Sequence, residues 1–123
     1  MTSDVFDERH LPAGATAAAL ANFACSSARI GDVQMVTVLG ELDGATAPVV
    51  ERELRSVEST AVRAIVLDLS GVTFIDDAGV QLVLRAAARS RADANRLRLL
   101  RGPAGVQQVF RLTDVEQHLP FVD

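Results

Sequence analysis

Residues 65–79 decide the fold, and they read Ile-Val-Leu-Asp-Leu-Ser-Gly-Val-Thr-Phe-Ile-Asp-Asp-Ala-Gly. The apolar run at residues 61–69 does not alternate with polar residues, which is typical of a central strand covered on both faces. A Ser-Gly pair then predicts a turn, and a second apolar step follows at residues 72–75. Asp76 and Asp77 come next, and the sequence from there predicts a helix over residues 77–91.

A hairpin and a helix precede this stretch. Phe23–Ile30 and residues 33–39 predict two strands, because the Gly-Asp pair between them is a two-residue hairpin signal. A helix begins near Thr46, which we expect to cap it, with Pro48 in the first turn where a missing N–H costs little. Its apolar side chains recur on one face at helical spacing, namely Ala47, Val50, Leu54 and Val57.

Shorter elements follow the second helix, whose apolar stripe is Val80, Val83, Leu84 and Ala87. Leu97–Leu100 predicts a strand, residues 103–112 a third helix, and residues 119–122 a short terminal segment. The predicted order is β-β-α-β-α-β-α. Strands separated by single helices run parallel with right-handed crossovers, and the opening hairpin makes the sheet mixed. The sequence therefore predicts an α/β fold.

The length and composition predict one domain and an N-terminal tail. The chain has 123 residues, of which 49% are apolar and only 4% aromatic, so one core of Val, Leu, Ile and Ala is expected. Residues 1–21 predict a flexible tail because nothing periodic is available there to bury. Residues 16–21, which are mostly Ala, favour at most a short helical turn. The folded domain is expected over residues 22–123.

All twelve basic residues are Arg, so a lysine nucleophile and a phosphate-binding P-loop lysine are excluded. The net charge is −4, and interspersed acids and bases argue against nucleic-acid binding by a basic field. One basic cluster has two interpretations, a solvated face, which we favour, or an anionic docking surface. It comprises Arg85, Arg89, Arg91, Arg96, Arg98 and Arg101.

The chain contains no pattern typical of an enzyme, a metal site or a cofactor site. Cys25 is a lone cysteine in an apolar strand, which favours a packed small side chain and a reducing compartment. His10 and His118 have no partners at metal spacing, and neither a nucleophile elbow nor a Gly-rich phosphate loop occurs. The acidic start is not typical of a signal peptide, and no apolar run is long enough to span a membrane. We expect a soluble cytoplasmic protein.

From about residue 22 onward, the chain resembles the STAS domain of bacterial anti-sigma factor antagonists. The resemblance is carried by the strand, the Ser-Gly pair and the Asp-Asp-Ala-Gly helix start of residues 65–79, and by Gly-Glu-Leu-Asp at residues 40–43. In phosphorylated members, a serine or threonine precedes the final glycine and is modified by the partner kinase. Here that position is Ala78, which has no hydroxyl to accept phosphate.

The loss of this hydroxyl leaves two interpretations open. Ala78 favours a protein fixed in the unphosphorylated, binding-competent state, and this is the interpretation we prefer. Asp77 places a carboxylate one residue earlier and partly imitates a phosphate, although it has one charge and two oxygens. Ser70 and Thr73 are alternative phosphosites that we consider secondary.

The resemblance implies binding to an anti-sigma factor of the histidine-kinase-like serine kinase type, which frees a sigma factor. The partner-binding surface it implies comprises Glu41, Leu42, Asp43, Gly44, Asp76, Asp77, Ala78, Gly79, Val80 and Gln81, with Val80 and Gln81 as the apolar and polar contacts. Independently of the family, one of the two aspartates is expected to cap the helix rather than act as an acid or base. The alternative function is a scaffold or sensor subunit of a larger signalling or transport complex. A weak homodimer is compatible with the first interpretation, and a large assembly favours the second.

Overall fold

The computed structural model describes residues 16–122, in which three strands come first and helices and strands then alternate. In chain order they are β1 (Thr16–Leu20), β2 (Phe23–Ile30), β3 (Val33–Leu42), α1 (Ala47–Glu58), β4 (Ala64–Ile75), α2 (Asp77–Ala92), β5 (Leu97–Leu100), α3 (Ala104–Leu112), a 3-10 turn (Glu116–His118) and β6 (Phe121–Val122). The predicted succession of elements and the mixed α/β class are confirmed.

The strands form one six-stranded sheet in the order in which they occur along the chain. β1, β2 and β3 are antiparallel, whereas β3, β4, β5 and β6 are parallel. The three crossovers step across the sheet in the same direction. Because such crossovers are right-handed, they place α1, α2 and α3 on the same face of the sheet.

The core lies between that face and the helices. Strand side chains that point toward the helices are buried, and the largest of those with no exposure are Leu42, Leu67, Leu69 and Leu99. Their sequence neighbours on the opposite face are mostly half-exposed, as the alternating burial of β2, β3 and β4 shows. The apolar face predicted for α1 is buried at all four positions. In α2, Leu82 is fully buried and Leu84 is only partly buried. The buried face of the helix is therefore rotated slightly from the predicted apolar stripe.

The folded region begins earlier than the sequence predicted. Thr16–Leu20 is a strand rather than a tail or a helical turn, and its register with β2 runs from Thr16↔Ser27 to Leu20↔Phe23. The physical reason is that the open edge of β2 supplies backbone hydrogen bonds, which need no side-chain periodicity. The tail predicted for residues 1–15 lies outside the described residues.

The Ser-Gly pair of residues 70 and 71 is not a turn, because β4 runs through it without interruption. The register with β3 changes from Thr37↔Asp68 to Leu39↔Gly71, as in a β-bulge. Asp68 Oδ1 accepts a hydrogen bond from Ser70 N at 2.9 Å, which satisfies the amide of the extra residue. The chain thus reaches the next helix on one continuous strand.

The arginine cluster is mainly structural. Arg89 on α2 donates to Glu51 at 2.7 Å and to Glu58 at 2.9 Å on α1, and the hydrogen bond to Glu58 is the main cause that raises the pKa of Arg89. Arg96 donates to the carbonyl oxygens of Glu58, the last residue of α1, and of Thr60 and Val62 just after it. These two guanidinium groups therefore tie α1 to α2 and β5 at the end of the sheet where β4 begins.

Cys25 is packed in the core with 3% exposure, as the apolar context predicted. Burial, with a smaller contribution from the charge of Glu53, raises the pKa of its thiol to about 12. The thiol is therefore neutral at physiological pH, and it does not have the character of a nucleophile.

Gly40 is required by a close approach of two backbone segments. Its φ is +94°, and a Cβ there would overlap the carbonyl oxygen of Asn22, which accepts a hydrogen bond from Glu41 N at 2.9 Å. A side chain at residue 40 would therefore push the β1–β2 turn away from the end of β3.

We expect Gly40→Ala to lower the free energy of unfolding by about 2–4 kcal/mol, because it combines backbone strain with a steric overlap. Gly31→Ala is the matched control, since Gly31 has φ +62° but open space around it. That variant should lose only about 1 kcal/mol. Urea denaturation measures both, and equal losses would show that the contact with Asn22 contributes nothing.

Candidate functional site

Two loops meet at the edge of the sheet where β3 and β4 end. These strands are parallel and in register at Leu42↔Ile75, so the loops that follow them leave the same edge. Asp76 N donates to the carbonyl oxygen of Leu42 at 3.3 Å, which joins the two loops directly. The sequence-predicted segments 41–44 and 76–79 are therefore adjacent in the structure.

The loop before α1 is held by Asp43 and Thr46. Asp43 Oδ1 accepts hydrogen bonds from Ala45 N at 3.0 Å and from Thr46 N at 3.2 Å. The Thr46 hydroxyl donates to the carbonyl oxygen of Glu41 at 2.8 Å and accepts from Asp43 N at 2.9 Å. The prediction that the Thr46 side chain caps α1 is wrong, because its oxygen is used to close this loop instead.

Asp76 caps α2, as expected for one of the two aspartates. Its Oδ1 accepts from Ala78 N at 2.9 Å and from Gly79 N at 3.2 Å, two amides that the helix leaves without partners. Asp77 lies in the first turn, where a negative charge favours the helix dipole, and it is exposed. This arrangement accounts for both carboxylates without acid–base chemistry.

Gly79 lets α2 begin directly against β3. A Cβ at this position would lie 2.6 Å from Ile75 Cγ1 and 2.8 Å from the carbonyl oxygen of Leu42. Both distances are too short for a real side chain. The missing side chain therefore sets the distance between the start of the helix and the neighbouring loop.

The predicted partner-binding residues differ in accessibility. Glu41, Gly44, Asp77 and Gln81 are exposed, while Asp43, Asp76 and Ala78 are half-buried. Leu42, Gly79 and Val80 are buried, so their side chains do not reach a partner. Val80, predicted as the apolar contact, is 2% exposed and belongs to the core.

Sequence reasoning missed the apolar groups that the edge does expose. Phe74 is 50% exposed and Leu39 is 49% exposed, and they lie one and three residues before the ends of β4 and β3. The sequence prediction treats residues 72–75 as one apolar step and does not single out Phe74. A detectable signal was the two-residue period of the strand, because counting on in twos from the buried Ile65 places Ile75 in the core and Phe74 on the opposite face. The two alternative phosphosites, Ser70 and Thr73, are also exposed on β4.

The charge of the two loops is entirely acidic. Residues 41–46 and 76–79 carry Glu41, Asp43, Asp76 and Asp77 and no basic side chain. Within residues 16–122, Glu41 and Asp77 form no ion pair, whereas Glu51, Glu58 and Glu116 are each bound to an arginine. Over the same residues there is no cluster of three metal-binding side chains and no helix long and apolar enough to cross a membrane.

We expect Gly79→Ala to lower the free energy of unfolding by about 2 kcal/mol, because the added methyl group forces α2 away from Leu42. Gly105→Ala is the matched control in α3, where no atom lies within 4 Å of the added Cβ. It should be neutral or stabilising by up to about 1 kcal/mol. Chemical denaturation of both variants tests this, and an unchanged Gly79→Ala would contradict the close contact.

Known proteins of the same fold include anti-sigma factor antagonists. The antagonist from Mycobacterium paratuberculosis superimposes with a TM-score of 0.69 at 21% identity, covering 90% of this chain and 87% of that one. The anti-sigma factor antagonist SpoIIAA in its unphosphorylated form superimposes with a TM-score of 0.68 at 23% identity, covering 80% of this chain and 86% of that one. The Bacillus cell fate determinant SpoIIAA in its phosphorylated form superimposes with a TM-score of 0.63 at 22% identity, covering 80% of this chain and 89% of that one.

At these identities the structural matches show a shared fold. No curated protein sequence matches the chain. A family model described as "Mlab, STAS domain" matches residues 25–122, which is most of the chain and includes both loops of the candidate site. The resemblance seen in residues 65–79 is thus confirmed, and the chain belongs to the STAS domain family.

Proposed function

We propose that this chain is an anti-sigma factor antagonist-like regulator, which binds an anti-sigma factor of the serine kinase type and thereby frees a sigma factor. The observation that carries the proposal is the junction of the two loops, where Asp76 N meets the carbonyl oxygen of Leu42. It holds the exposed Glu41, Asp77 and Gln81 on one edge of the sheet. Structures of the same fold named as anti-sigma factor antagonists support the class. The proposed role is one of binding in the cytoplasm, without catalysis.

The proposal includes a fixed regulatory state. Ala78 occupies the position that carries the phosphorylated hydroxyl in the family, and its backbone N–H is already bound to Asp76. A kinase therefore has nothing to modify there, and the surface keeps its unphosphorylated form. Asp77 is a weaker candidate for a phosphate mimic, because its single charge sits one residue away and serves the start of α2.

A second candidate function is a subunit of a larger signalling or transport complex. The family model that matches the chain is named for Mlab, and a phosphorylatable hydroxyl is not needed in such a role. The two candidates differ in assembly state. Size-exclusion chromatography with light scattering should give a monomer or weak dimer for the antagonist and a stable large assembly with partner subunits for the alternative.

Binding to purified kinases tests the proposed function directly. Each histidine-kinase-like anti-sigma factor of the source organism would be immobilised in turn, with ATP or ADP present, and the full chain passed over it. Saturable binding to one of them, followed by release of its sigma factor, is the expected result. Absence of binding to every member of the panel would refute the antagonist function.

We expect Ala78→Ser to restore phosphorylation by the kinase that binds, because it places a hydroxyl in the first turn of α2 at a half-buried but not inaccessible position. The variant should lose only a few tenths of a kcal/mol in stability. Mass spectrometry after incubation with ATP should find one added phosphate, with weaker binding as a result.

The control for this experiment is the wild-type chain, together with Ser70→Ala and Thr73→Ala variants. Under the proposal, none of these takes up phosphate. A phosphate on Ser70 or Thr73 of the wild-type chain that weakens binding would show that the switch has moved rather than been lost.

A further inference from the structure

Two large apolar side chains lie at the corner of the sheet next to the two loops. Leu39 follows the buried Val38, and Phe74 precedes the buried Ile75. Because neighbouring residues of a strand point to opposite faces, Leu39 and Phe74 point away from the helices. Each has about half of its surface exposed, so neither is accounted for by the core.

These side chains form one continuous surface with Gly71. Leu39 pairs with Gly71 and Glu41 pairs with Phe74 across β3 and β4, so Leu39 and Phe74 are diagonal neighbours. A Cβ on Gly71 would overlap Leu39 Cδ2, which means that the leucine side chain lies flat over the glycine. We call Leu39, Gly71 and Phe74 the apolar corner.

The charge around the apolar corner indicates what kind of partner fits. Glu41 is on the same face of β3 as Leu39, two residues further along, and its carboxylate is exposed. It has no ion pair within residues 16–122, and neither does Asp77 at the adjoining helix start. An apolar surface bordered by unpaired carboxylates is complementary to a segment that has apolar and basic side chains together. The same carboxylates disfavour an anionic lipid surface.

We propose that the apolar corner is the hydrophobic anchor of the partner interface, and that it binds an amphipathic segment of the anti-sigma factor in which leucine-like side chains stand beside Arg or Lys. This inference rests on the proposed function and assigns it the apolar contact that the buried Val80 does not provide. Aromatic side chains at the centre of an interface commonly dominate its affinity, and Phe74 is an exposed aromatic residue at this edge. The Glu41 carboxylate then favours a partner segment in which Arg or Lys stands next to the apolar side chain.

A titration with synthetic peptides tests the corner without any knowledge of the partner. Two helical peptides are used that are identical except that Arg in one is replaced by Glu in the other. The Arg peptide should shift the backbone amide resonances of Leu39, Glu41 and Phe74 in the ¹⁵N-labelled full chain, and the Glu peptide should not. Shifts located elsewhere, or equal shifts with both peptides, would overturn the inference.

The second test uses the kinase that binds the wild-type chain. Phe74→Ala should weaken its Kd by about tenfold or more, and Leu39→Ala should weaken it less. Glu41→Gln should reduce the salt dependence of the affinity. Ile30→Ala and Leu112→Ala remove exposed apolar side chains far from the corner, at 67% and 76% exposure, and should leave Kd unchanged.

The outcomes separate the two proposals. Circular dichroism first establishes that each variant is folded, which is expected because the side chains removed are half-exposed. Unchanged binding by the Leu39→Ala, Phe74→Ala double variant would refute the apolar corner as the partner contact, and the antagonist function would remain supported. If no kinase binds the wild-type chain, the antagonist function is refuted. The peptide titration alone then shows whether the apolar corner binds a segment with apolar and basic side chains.

Discussion

The parallel pairing of β3 with β4 is the constraint on which the rest of the molecule depends. It brings the carboxyl ends of two strands to one edge, and it continues as far as the hydrogen bond from Asp76 N to the Leu42 carbonyl oxygen. Gly79 allows α2 to start against that same carbonyl, since any larger residue would overlap it. The position of both loops, and therefore of every residue in the candidate site, follows from this contact.

Much of this arrangement was predictable from sequence because it depends on local signals. The apolar spacing of Ala47, Val50, Leu54 and Val57 gives the buried face of α1, and an aspartate before a helical pattern gives the cap of α2. Local signals failed where a distant segment decides the outcome. Thr16–Leu20 becomes a strand because β2 offers an edge. The Thr46 side chain does not cap α1, because its hydroxyl donates a hydrogen bond to the carbonyl oxygen of Glu41.

The resemblance implied that segments 41–44 and 76–79 form one surface, and the structure places them side by side. The apolar residues at 72–75 and at the start of α2 did not show by themselves which of their side chains are covered. Val80 is buried because α2 packs its first turn on the sheet. Phe74 is exposed because the register of β4 against β3 shifts twice, and the second shift, between Val72 and Phe74, turns Phe74 away from the core. The two register shifts depend on how β4 pairs with β3, and a run of apolar residues in one strand does not reveal them.

The hydrogen bonds of the two loops have a consequence for the entropy of association. The amides of Asp43, Ala45 and Thr46 are bound within the first loop, and those of Ala78 and Gly79 are bound by the Asp76 carboxylate. The backbone of this edge is thus ordered before any other molecule arrives. On association, the backbone of this edge then loses little conformational entropy, and most of the entropy lost through ordering is lost by the other molecule. A rigid surface of this kind selects among flexible ligands by shape rather than adapting to each.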